Sequence, residues 1–404
     1  MIIKPRIRGF ICTTAHPKGC AAAVDQQIAF VKGHGPIATG GRRALIVGAS
    51  GGYGLSSRIV SAFGCGAGTV GVSFEKAPEE SRTATAGWYI NRAFDARAKR
   101  AGLYAKSFDG DAFSDAMKER VVGAIKTDLG QIDLLVYSLA SPVRQHPRTG
   151  VLHRSAIKPL GAVKHFKTLN VDRGVVHEVD LEPATAEETA ATVQVMGGED
   201  WEFWVDALAK ANVLARGFRT ISYTYIGSDL TWPIYWEGTL GKAKEDLDRA
   251  ALAMRGRLRG IDGDARVAVM KAVVTQASTA IPVVPLYASL LFRVMKDARV
   301  HEDCIAQIDR LFRTQLYGSS RAEDRARGGG ALRLDDVGRI RMDERELAAA
   351  VQDEVRRRWP IVTTENIAEL GDLDGFRADF LKIFGFGMPG VDYEADLDPA
   401  LADL

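Results

Sequence analysis

Short apolar runs alternate with amphipathic stretches over residues 43–141, and this pattern predicts alternating strands and helices. The predicted strands are Ala44–Val47, Thr69–Phe74, Leu103–Phe108 and Ile132–Ser138. The predicted helices are Tyr53–Phe63, Ser81–Arg100 and a helix that Ser114 caps and that ends near Leu129. Such alternation is typical of a parallel sheet with helices on both faces. We therefore expect an α/β fold of the doubly wound, Rossmann-type class.

The alternation stops after Ser141 and later resumes with strand Arg219–Ile226, helix Ala243–Leu258 and strand Val267–Thr275. We therefore expect a single enlarged domain over residues 1–404. Its sheet core comprises 43–141 and 219–300, with an insertion at the substrate side (142–218), an N-terminal extension (1–42) and a helical C-terminal region with a tail (301–404). In that last region, Asp343 and Glu346 have the spacing of a capping box and predict a helix start.

The composition narrows the class of protein. Hydrophobic residues make up 46% and charged residues 26% of the chain, which excludes general disorder. A net charge of +2 argues against nucleic acid or anionic membrane as a partner. The best membrane candidate, Ile281–Phe292, is shorter than the ~20 residues that span a bilayer, and the charged N-terminus does not resemble a signal peptide. Because the four cysteines are scattered without ligand spacing, we expect a cytoplasmic protein and no metal site.

A glycine-rich turn, Gly48-Ala-Ser-Gly-Gly-Tyr-Gly54, directly follows the first buried strand and opens a helix. In this context the glycines allow a tight turn and bring a pyrophosphate close to the N–H groups at the helix N-terminus, where the helix dipole is positive. The spacing G-x-x-x-G-x-G is the variant that short-chain dehydrogenases and reductases use. The turn therefore predicts a dinucleotide site, with strand–helix packing alone as the alternative.

Acidic residues after the next strands refine this site. Glu75 ends the second strand, where a carboxylate accepts hydrogen bonds from ribose hydroxyls and repels a 2′-phosphate, so NADH is favoured over NADPH. Lys76 and Arg82 lie nearby and can soften that preference. Asp111 follows the third strand and either accepts from the adenine amine or caps a helix. After the fourth strand, the Asn-Asn-Ala-Gly motif of many short-chain enzymes is absent.

A tyrosine and a lysine are expected to carry the chemistry, because short-chain reductases pair a tyrosine donor with a lysine that binds the ribose and lowers the tyrosine pKa. Tyr-x8-Lys occurs twice, as Tyr235 with Lys244 and as Tyr287 with Lys296. Spacing does not choose between them, but position favours the first pair. Tyr235 lies between the fifth and sixth strands, on a loop that we expect to last beyond Gly241. Tyr287 lies in an apolar helix typical of a core, and Tyr225 ends the fifth strand.

The insertion is basic over Pro142–Val171, which contains no acidic residue. This stretch is either a solvated loop or a positive lip that attracts phosphate or an acidic carrier protein. Its basic residues and histidines are Arg144, His146, Arg148, His153, Arg154, Lys158, Lys164, His165 and Lys167.

Several longer motifs together resemble the FabV-type trans-2-enoyl reductases, and the resemblance runs nearly from end to end. They are MIIKPRIRGFICTTAHPKGC, GASGGYG, SLASP, SYTYIGS, TWPIYWEGTLGKAKEDL, VTQASTAIPVVPLY and FGFGMPGVDYEADLDP. The resemblance implies an NADH-dependent enoyl-[acyl-carrier-protein] reductase. Such an enzyme reduces the C2=C3 double bond of trans-2-enoyl thioesters of acyl carrier protein or coenzyme A, in the last step of the fatty-acid elongation cycle. It also implies a monomer that meets an acidic carrier protein transiently.

The resemblance also assigns residues. It implies Tyr235 as proton donor, Tyr225 as substrate-binding residue that assists it, and Lys244 as ribose-binding cation. The implied NADH contacts are Gly48, Ala49, Ser50, Gly51, Gly52, Tyr53, Phe74, Glu75, Asp111, Ala112, Leu139, Ala140, Lys244, Val273, Val274 and Thr275. The alternatives are a short-chain carbonyl or alcohol oxidoreductase and a non-catalytic NADH-binding sensor.

Overall fold

The computed structural model describes residues 1–9, 11–80, 82–139, 141–318 and 332–400. Its strands are β1 (Ile7–Arg8), β2 (Ile11–Cys12), β3 (Arg43–Val47), β4 (Gly68–Ser73), β5 (Ala105–Asp109), β6 (Ile132–Tyr137), β7 (Val143–Gln145), β8 (Leu152–Arg154), β9 (Lys164–Asn170), β10 (Val175–Leu181), β11 (Leu214–Thr224), β12 (Asp264–Val269) and β13 (Ile340–Arg341). Its helices are α1 (Pro17–Gly33), α2 (Gly52–Ile59), α3 (Ala86–Arg100), α4 (Asp115–Ala124), α5 (Ala186–Met196), α6 (Glu199–Lys210), α7 (Thr239–Leu258), α8 (Val284–Asp297), α9 (Cys304–Leu311), α10 (Ala349–Arg358), α11 (Ile367–Leu370) and α12 (Leu373–Ile383).

A parallel sheet of seven strands forms the centre of the described structure, in the order β13-β12-β11-β6-β3-β4-β5. Successive side chains of each strand point to opposite faces of the sheet, and helices cover both faces, so the central strands are buried on both sides. Ala44 and Ile46 face the layer of α1, α2, α3 and α9. Leu45 and Val47 face the layer of α4, α6 and α7. The predicted doubly wound α/β fold is confirmed.

Elements from outside the predicted sheet segments also join this core. α6 buries Trp201 and Trp204 completely under the second face of the sheet. β13 adds an edge strand from the C-terminal region. The rest of 142–218 forms the hairpins β7–β8 and β9–β10 together with α5.

Helix ends agree with the sequence at one position and differ at another. Ser114 caps α4 as predicted, because its side chain accepts a hydrogen bond from Met117 N–H at 3.2 Å. α7, however, begins at Thr239, so the prediction that the loop lasts beyond Gly241 is wrong. Gly241 lies inside the first turn, where a Cβ would come within 1.7 Å of the Trp236 carbonyl oxygen. Glycine is present there for close packing, and it does not break the helix.

The capping box predicted at Asp343 and Glu346 is also wrong, because the next helix, α10, begins at Ala349. The side chain of Asp343 pairs with Arg341 instead, at 2.6 Å. Glu346 is fully buried and accepts hydrogen bonds from distant parts of the chain. A capping box does open α5, formed by Thr185 and Glu188.

None of the helices that the structure describes combines the length and the apolar character needed to cross a bilayer. Within the same residues, no group of three metal-ligating side chains is close enough to hold an ion.

Candidate active site

The candidate site lies at the carboxyl edge of the central sheet. β3 has β4 on one side and β6 on the other, so the strand order reverses there, and doubly wound folds bind ligands outside the strand ends at such a reversal. Because all seven strands are parallel, the segments that follow β3, β4, β5, β6, β11 and β12 meet at this edge. These segments contain the candidate residues named from the sequence between Gly48 and Thr275.

Gly48 and Gly54 leave no room for a side chain in the glycine turn. Gly48 has φ +89°, and a Cβ there would lie 2.1 Å from the Ser138 carbonyl oxygen after β6. A Cβ on Gly54 would lie 1.9 Å from the Gly48 carbonyl oxygen. Gly51 precedes α2 in an extended conformation and faces open space. The turn therefore packs tightly against the sheet and leaves the N–H groups at the start of α2 accessible to an anion.

Glu75 is held beside this turn. One of its carboxylate oxygens accepts a hydrogen bond from Ser50 Oγ at 2.6 Å, and the other accepts from Thr85 Oγ1. A Cβ on Gly87 would lie 2.0 Å from the Glu75 carboxylate, so only glycine leaves room for it. Burial raises the pKa of Glu75, and the two hydroxyl hydrogen bonds oppose that rise. Sequence reasoning missed Thr85 and Gly87, which position this carboxylate.

Asp111 shapes the turn between β5 and α4 while its residue remains exposed. Its Oδ1 accepts a hydrogen bond from Phe113 N–H at 2.9 Å, and the N-cap of α4 is Ser114. Ala112 is buried and Leu139 is half-buried. Ala140 lies outside the described residues.

Beyond β12, Val273 is buried, and Val274 and Thr275 are half-buried. The Tyr53 hydroxyl donates a hydrogen bond to the Lys271 carbonyl oxygen at 2.8 Å. This bond joins the glycine turn to the segment that follows β12. Phe74, after β4, exposes 77% of its surface.

Tyr235 is buried in the loop between β11 and α7. Its backbone N–H donates to the Thr231 carbonyl at 3.0 Å, and its carbonyl accepts from Gly241 N–H at 2.9 Å. The bond with Gly241 attaches Tyr235 to the first turn of α7, the helix that carries Lys244. Burial raises the pKa of Tyr235, so its phenol keeps its proton at neutral pH.

Lys244 is half-buried in α7. Burial lowers the pKa of its ammonium group to about 8, although Asp248 one turn further along the helix favours the charged form. Lys242, two residues earlier, pairs with Glu245 at 2.8 Å in solvent.

Tyr225 and Tyr287 share one buried acceptor. Both hydroxyls donate to Glu346 Oε1, each at 2.8 Å. The ring of Tyr225 also meets the ring of Tyr235 edge to face, with centroids 5.0 Å apart. Glu346 was not named as a site residue from the sequence, where its only signal was the misleading capping-box spacing.

The second Tyr-x8-Lys pair has different surroundings. Tyr287 is completely buried in α8, as the apolar pattern predicted. Lys296 lies on the surface and pairs with Asp372 at 2.6 Å.

The basic stretch of the insertion is less positive in the fold than in the sequence, because acidic residues from outside the stretch reach it. Arg144 is buried beside Glu199 at 2.9 Å, and Lys158 pairs with Glu188 at 2.6 Å. His165 contacts both Asp180 and Glu178 on the neighbouring strand β10. Arg148 stacks on Phe203, and Lys167 donates to carbonyls near Trp359. Arg154 and Lys164 are exposed.

Three family models match the chain in succession. Residues 2–80 match a model described as the NAD(P)H binding domain of trans-2-enoyl-CoA reductase. Residues 82–317 match the trans-2-enoyl-CoA reductase catalytic region, and residues 334–397 match the enoyl reductase FAD binding domain.

Individual proteins match over nearly the whole chain. An enoyl-[acyl-carrier-protein] reductase [NADH] of Edwardsiella ictaluri is 55% identical over 399 residues, covering 99% of this chain and 98% of its own. The corresponding FabV protein of Aeromonas salmonicida has the same identity and coverage. Among solved structures, the trans-2-enoyl-CoA reductase of Clostridium acetobutulicum with NADH has a TM-score of 0.94 at 42% identity, covering 100% and 99% of the two chains. That of Treponema denticola with NAD has a TM-score of 0.92 at 46% identity, covering 98% of each.

Proposed function

The chain belongs to the family of trans-2-enoyl-CoA reductases and NADH-dependent enoyl-[acyl-carrier-protein] reductases, and from this premise we propose that Tyr235, Lys244 and Tyr225 form its active site. The enzyme uses NADH to reduce the C2=C3 double bond of trans-2-enoyl thioesters in fatty-acid synthesis. The observation that carries the proposed site is the position of Tyr235. Its buried phenol lies against Tyr225 and is tied to the first turn of the helix that carries Lys244.

The residues at the sheet edge suit NADH. The glycine turn would receive the pyrophosphate, because Gly48 and Gly54 let the turn pack tightly and Gly51 faces open space at the start of α2. Glu75 would accept hydrogen bonds from the adenine ribose and disfavour a 2′-phosphate. Lys244 would bind the nicotinamide ribose. The remaining contacts proposed for NADH are Ala49, Ser50, Gly51, Gly52, Tyr53, Phe74, Asp111, Ala112, Leu139, Ala140, Val273, Val274 and Thr275.

NADH supplies the hydride that is added to Cβ of the enoyl thioester. As the double bond is reduced, negative charge moves to the thioester carbonyl oxygen. Tyr235 would donate a hydrogen bond to that oxygen, and this bond strengthens as the charge develops. Tyr235 would then give its proton to the enolate, and after tautomerisation this proton completes the reduction at Cα. The Lys244 cation would further stabilise this negative charge.

A turnover assay with two single substitutions tests this assignment. We expect NADH oxidation that depends on a short trans-2-enoyl-coenzyme A. Tyr235→Phe should lower kcat by about 10²-fold or more, since it removes one donor to the developing charge, while NADH still binds. Lys244→Met should likewise retain most NADH binding and lose nearly all turnover.

Two controls make the result specific. Tyr287→Phe leaves the proposed pair intact and should reduce turnover far less, so an equal loss would transfer the catalytic role to the second pair. A ketone substrate should give no NADH oxidation. Turnover of the ketone alone would identify a carbonyl reductase, whereas NADH binding without turnover of enoyl-coenzyme A or enoyl-carrier substrates would identify a sensor.

The natural thioester carrier is proposed to be an acidic acyl carrier protein that binds transiently to a cytoplasmic monomer. Arg154 and Lys164 are two exposed cations of the insertion that would meet it. Reversing both charges should raise KM for the enoyl-carrier substrate and leave KM for enoyl-coenzyme A nearly unchanged. Equal effects on both substrates would contradict this docking site. Sedimentation of the purified enzyme tests the monomer.

A further inference from the structure

We propose that Glu346 is a positioning residue of the reductase site, which fixes Tyr225 and through it the donor Tyr235. This inference rests on the proposed role of Tyr235 and concerns a carboxylate that reaches the site from the C-terminal region. Glu346 is completely buried. It joins the ends of β11 and β12 to α8, because its partners are Tyr225, Ala272 and Tyr287.

The hydrogen bonds around Glu346 identify it as an acceptor. Oε1 accepts from the hydroxyls of Tyr225 and Tyr287, each at 2.8 Å, and Oε2 accepts from Ala272 N–H at 2.6 Å. Three donors converge on one carboxylate, an arrangement that stabilises its ionised form. Burial raises the pKa of Glu346, and these hydrogen bonds and the nearby Lys271 cation oppose that rise without cancelling it.

The hydroxyl proton of Tyr225 is therefore used in the hydrogen bond to Glu346. A tyrosine hydroxyl has one proton to donate, and that of Tyr225 points to Glu346. Its oxygen can still accept a hydrogen bond from a substrate, but it cannot also donate one to the developing enolate. Tyr235 is then the single phenol donor of the site. The role of Tyr225 is to hold the ring of Tyr235.

The contact between the two rings supplies the mechanical link. The rings lie edge to face at 87° with centroids 5.0 Å apart, a geometry that aromatic pairs favour. With its hydroxyl held by Glu346 and its backbone at the end of β11, the Tyr225 ring is fixed at both ends. The Tyr225 ring therefore packs as a rigid surface against Tyr235. Tyr235 lies on a loop, and none of the described hydrogen bonds involves its hydroxyl.

A double-mutant cycle tests the proposal. Glu346→Gln should lower kcat by about 10- to 100-fold, the loss that a small misplacement of a reacting group produces. KM and the dissociation constant for NADH should change less than about threefold. Tyr225→Phe removes the same hydrogen bond from its other end. If Glu346 acts through Tyr225, the double variant should be no slower than the slower single variant.

A matched cycle with Tyr287→Phe separates this role from a general effect on folding. Tyr287 donates to the same oxygen at the same distance without contacting Tyr235 in the described ring pairs. Glu346→Gln should therefore keep its effect on kcat in the Tyr287→Phe background. Additive losses with Tyr225→Phe, or an effect of Glu346→Gln confined to thermal stability, would overturn the proposal.

A second cycle applies even if Glu346→Gln does not fold. Tyr225→Phe should cause little further loss of kcat in the Tyr235→Phe background, because it acts through Tyr235. An independent donor would instead give losses that multiply, which would overturn the single-donor mechanism. Full activity of Tyr235→Phe alone would refute the proposed catalytic tyrosine and with it the positioning role of Glu346, whereas multiplying losses would overturn the positioning role alone.

Discussion

At the residue scale, the charge of Lys244 depends on pH close to neutrality. Burial lowers the pKa of Lys244 to about 8, so the ammonium form is complete well below pH 8 and is lost as the pH rises through that value. If the cation binds the ribose, kcat/KM for NADH should fall as the pH rises through about 8. This ratio is the suitable measurement because it reports titration in the free enzyme.

Lys244→Arg is the control for this profile. A guanidinium stays charged throughout the accessible range, so the fall near pH 8 should disappear or move far upward even if the absolute rate is lower. An unchanged alkaline limb in Lys244→Arg would assign the titration to another group.

Single residues were predictable where a local motif contains them. Gly48, Glu75 and Tyr235 each lie directly after a recognisable strand or inside a distinctive block, so their places at the sheet edge followed from the strand pattern. Glu346 was not predictable, because its three partners are 121, 74 and 59 residues away in the sequence. Its local spacing predicted a helix cap, whereas in the structure its carboxylate binds the distant donors instead.

At the element scale, the strand–turn–helix unit from β3 to α2 depends on a glycine at a buried position, Gly54. A Cβ on Gly54 would lie 1.9 Å from the Gly48 carbonyl oxygen. Gly54→Ala should therefore displace α2 from β3, destabilise the fold by about 1–3 kcal/mol as overpacking does and abolish NADH binding. Thermal unfolding and NADH titration measure the two effects.

Gly51→Ala is the matched control, since a Cβ there faces open space and the backbone is extended. It should leave the unfolding temperature nearly unchanged and affect only NADH binding. An equally large loss of stability in both variants would show that the close approach at Gly54 does not matter.

Elements were predicted well where periodicity alone determines them. β3, β4 and β6 lie within one or two residues of their predicted bounds, and Ser114 caps α4 as expected. The start of α7 was missed because Gly241 looked like a helix breaker, whereas the packing against Trp236 requires a glycine. The hydrophobic period along the sequence predicts a helix or a strand, but it does not show the tertiary neighbour that makes a glycine acceptable inside a helix.

At the scale of the whole molecule, a buried ion pair joins α4 to α6 under the sheet. Lys118 Nζ contacts Asp200 Oδ1 at 2.8 Å, with both side chains at most 3% exposed, and Tyr137 donates to the other oxygen at 3.1 Å. Lys118→Met would leave the Asp200 carboxylate buried without its cation. We expect a loss of about 3–5 kcal/mol in the free energy of unfolding, measured by urea denaturation.

Lys106→Met provides the comparison, because Lys106 pairs with Asp128 at 2.9 Å while remaining 45% exposed. Its loss should lower the free energy of unfolding by less than about 1 kcal/mol. Similar costs for the two variants would mean that the buried pair contributes no more than a surface pair.

The overall architecture was predictable because parallel sheets impose a rhythm on the whole chain. The contribution of distant segments was not. α6, from the insertion, packs on one face of the sheet, and β13, from the C-terminal region, adds its edge strand. Their placement depends on tertiary contacts that no local sequence pattern contains.

The hydrogen bonds of Glu346 have a consequence for engineering. A chimera that exchanges residues 334–397 between relatives transplants this carboxylate without its three donors, all of which lie in 82–317. The segments 82–317 and 334–397 are therefore not independent modules that can be exchanged separately. A functional hybrid would have to inherit the carboxylate and both phenols from the same parent, or from parents that agree at all of these positions.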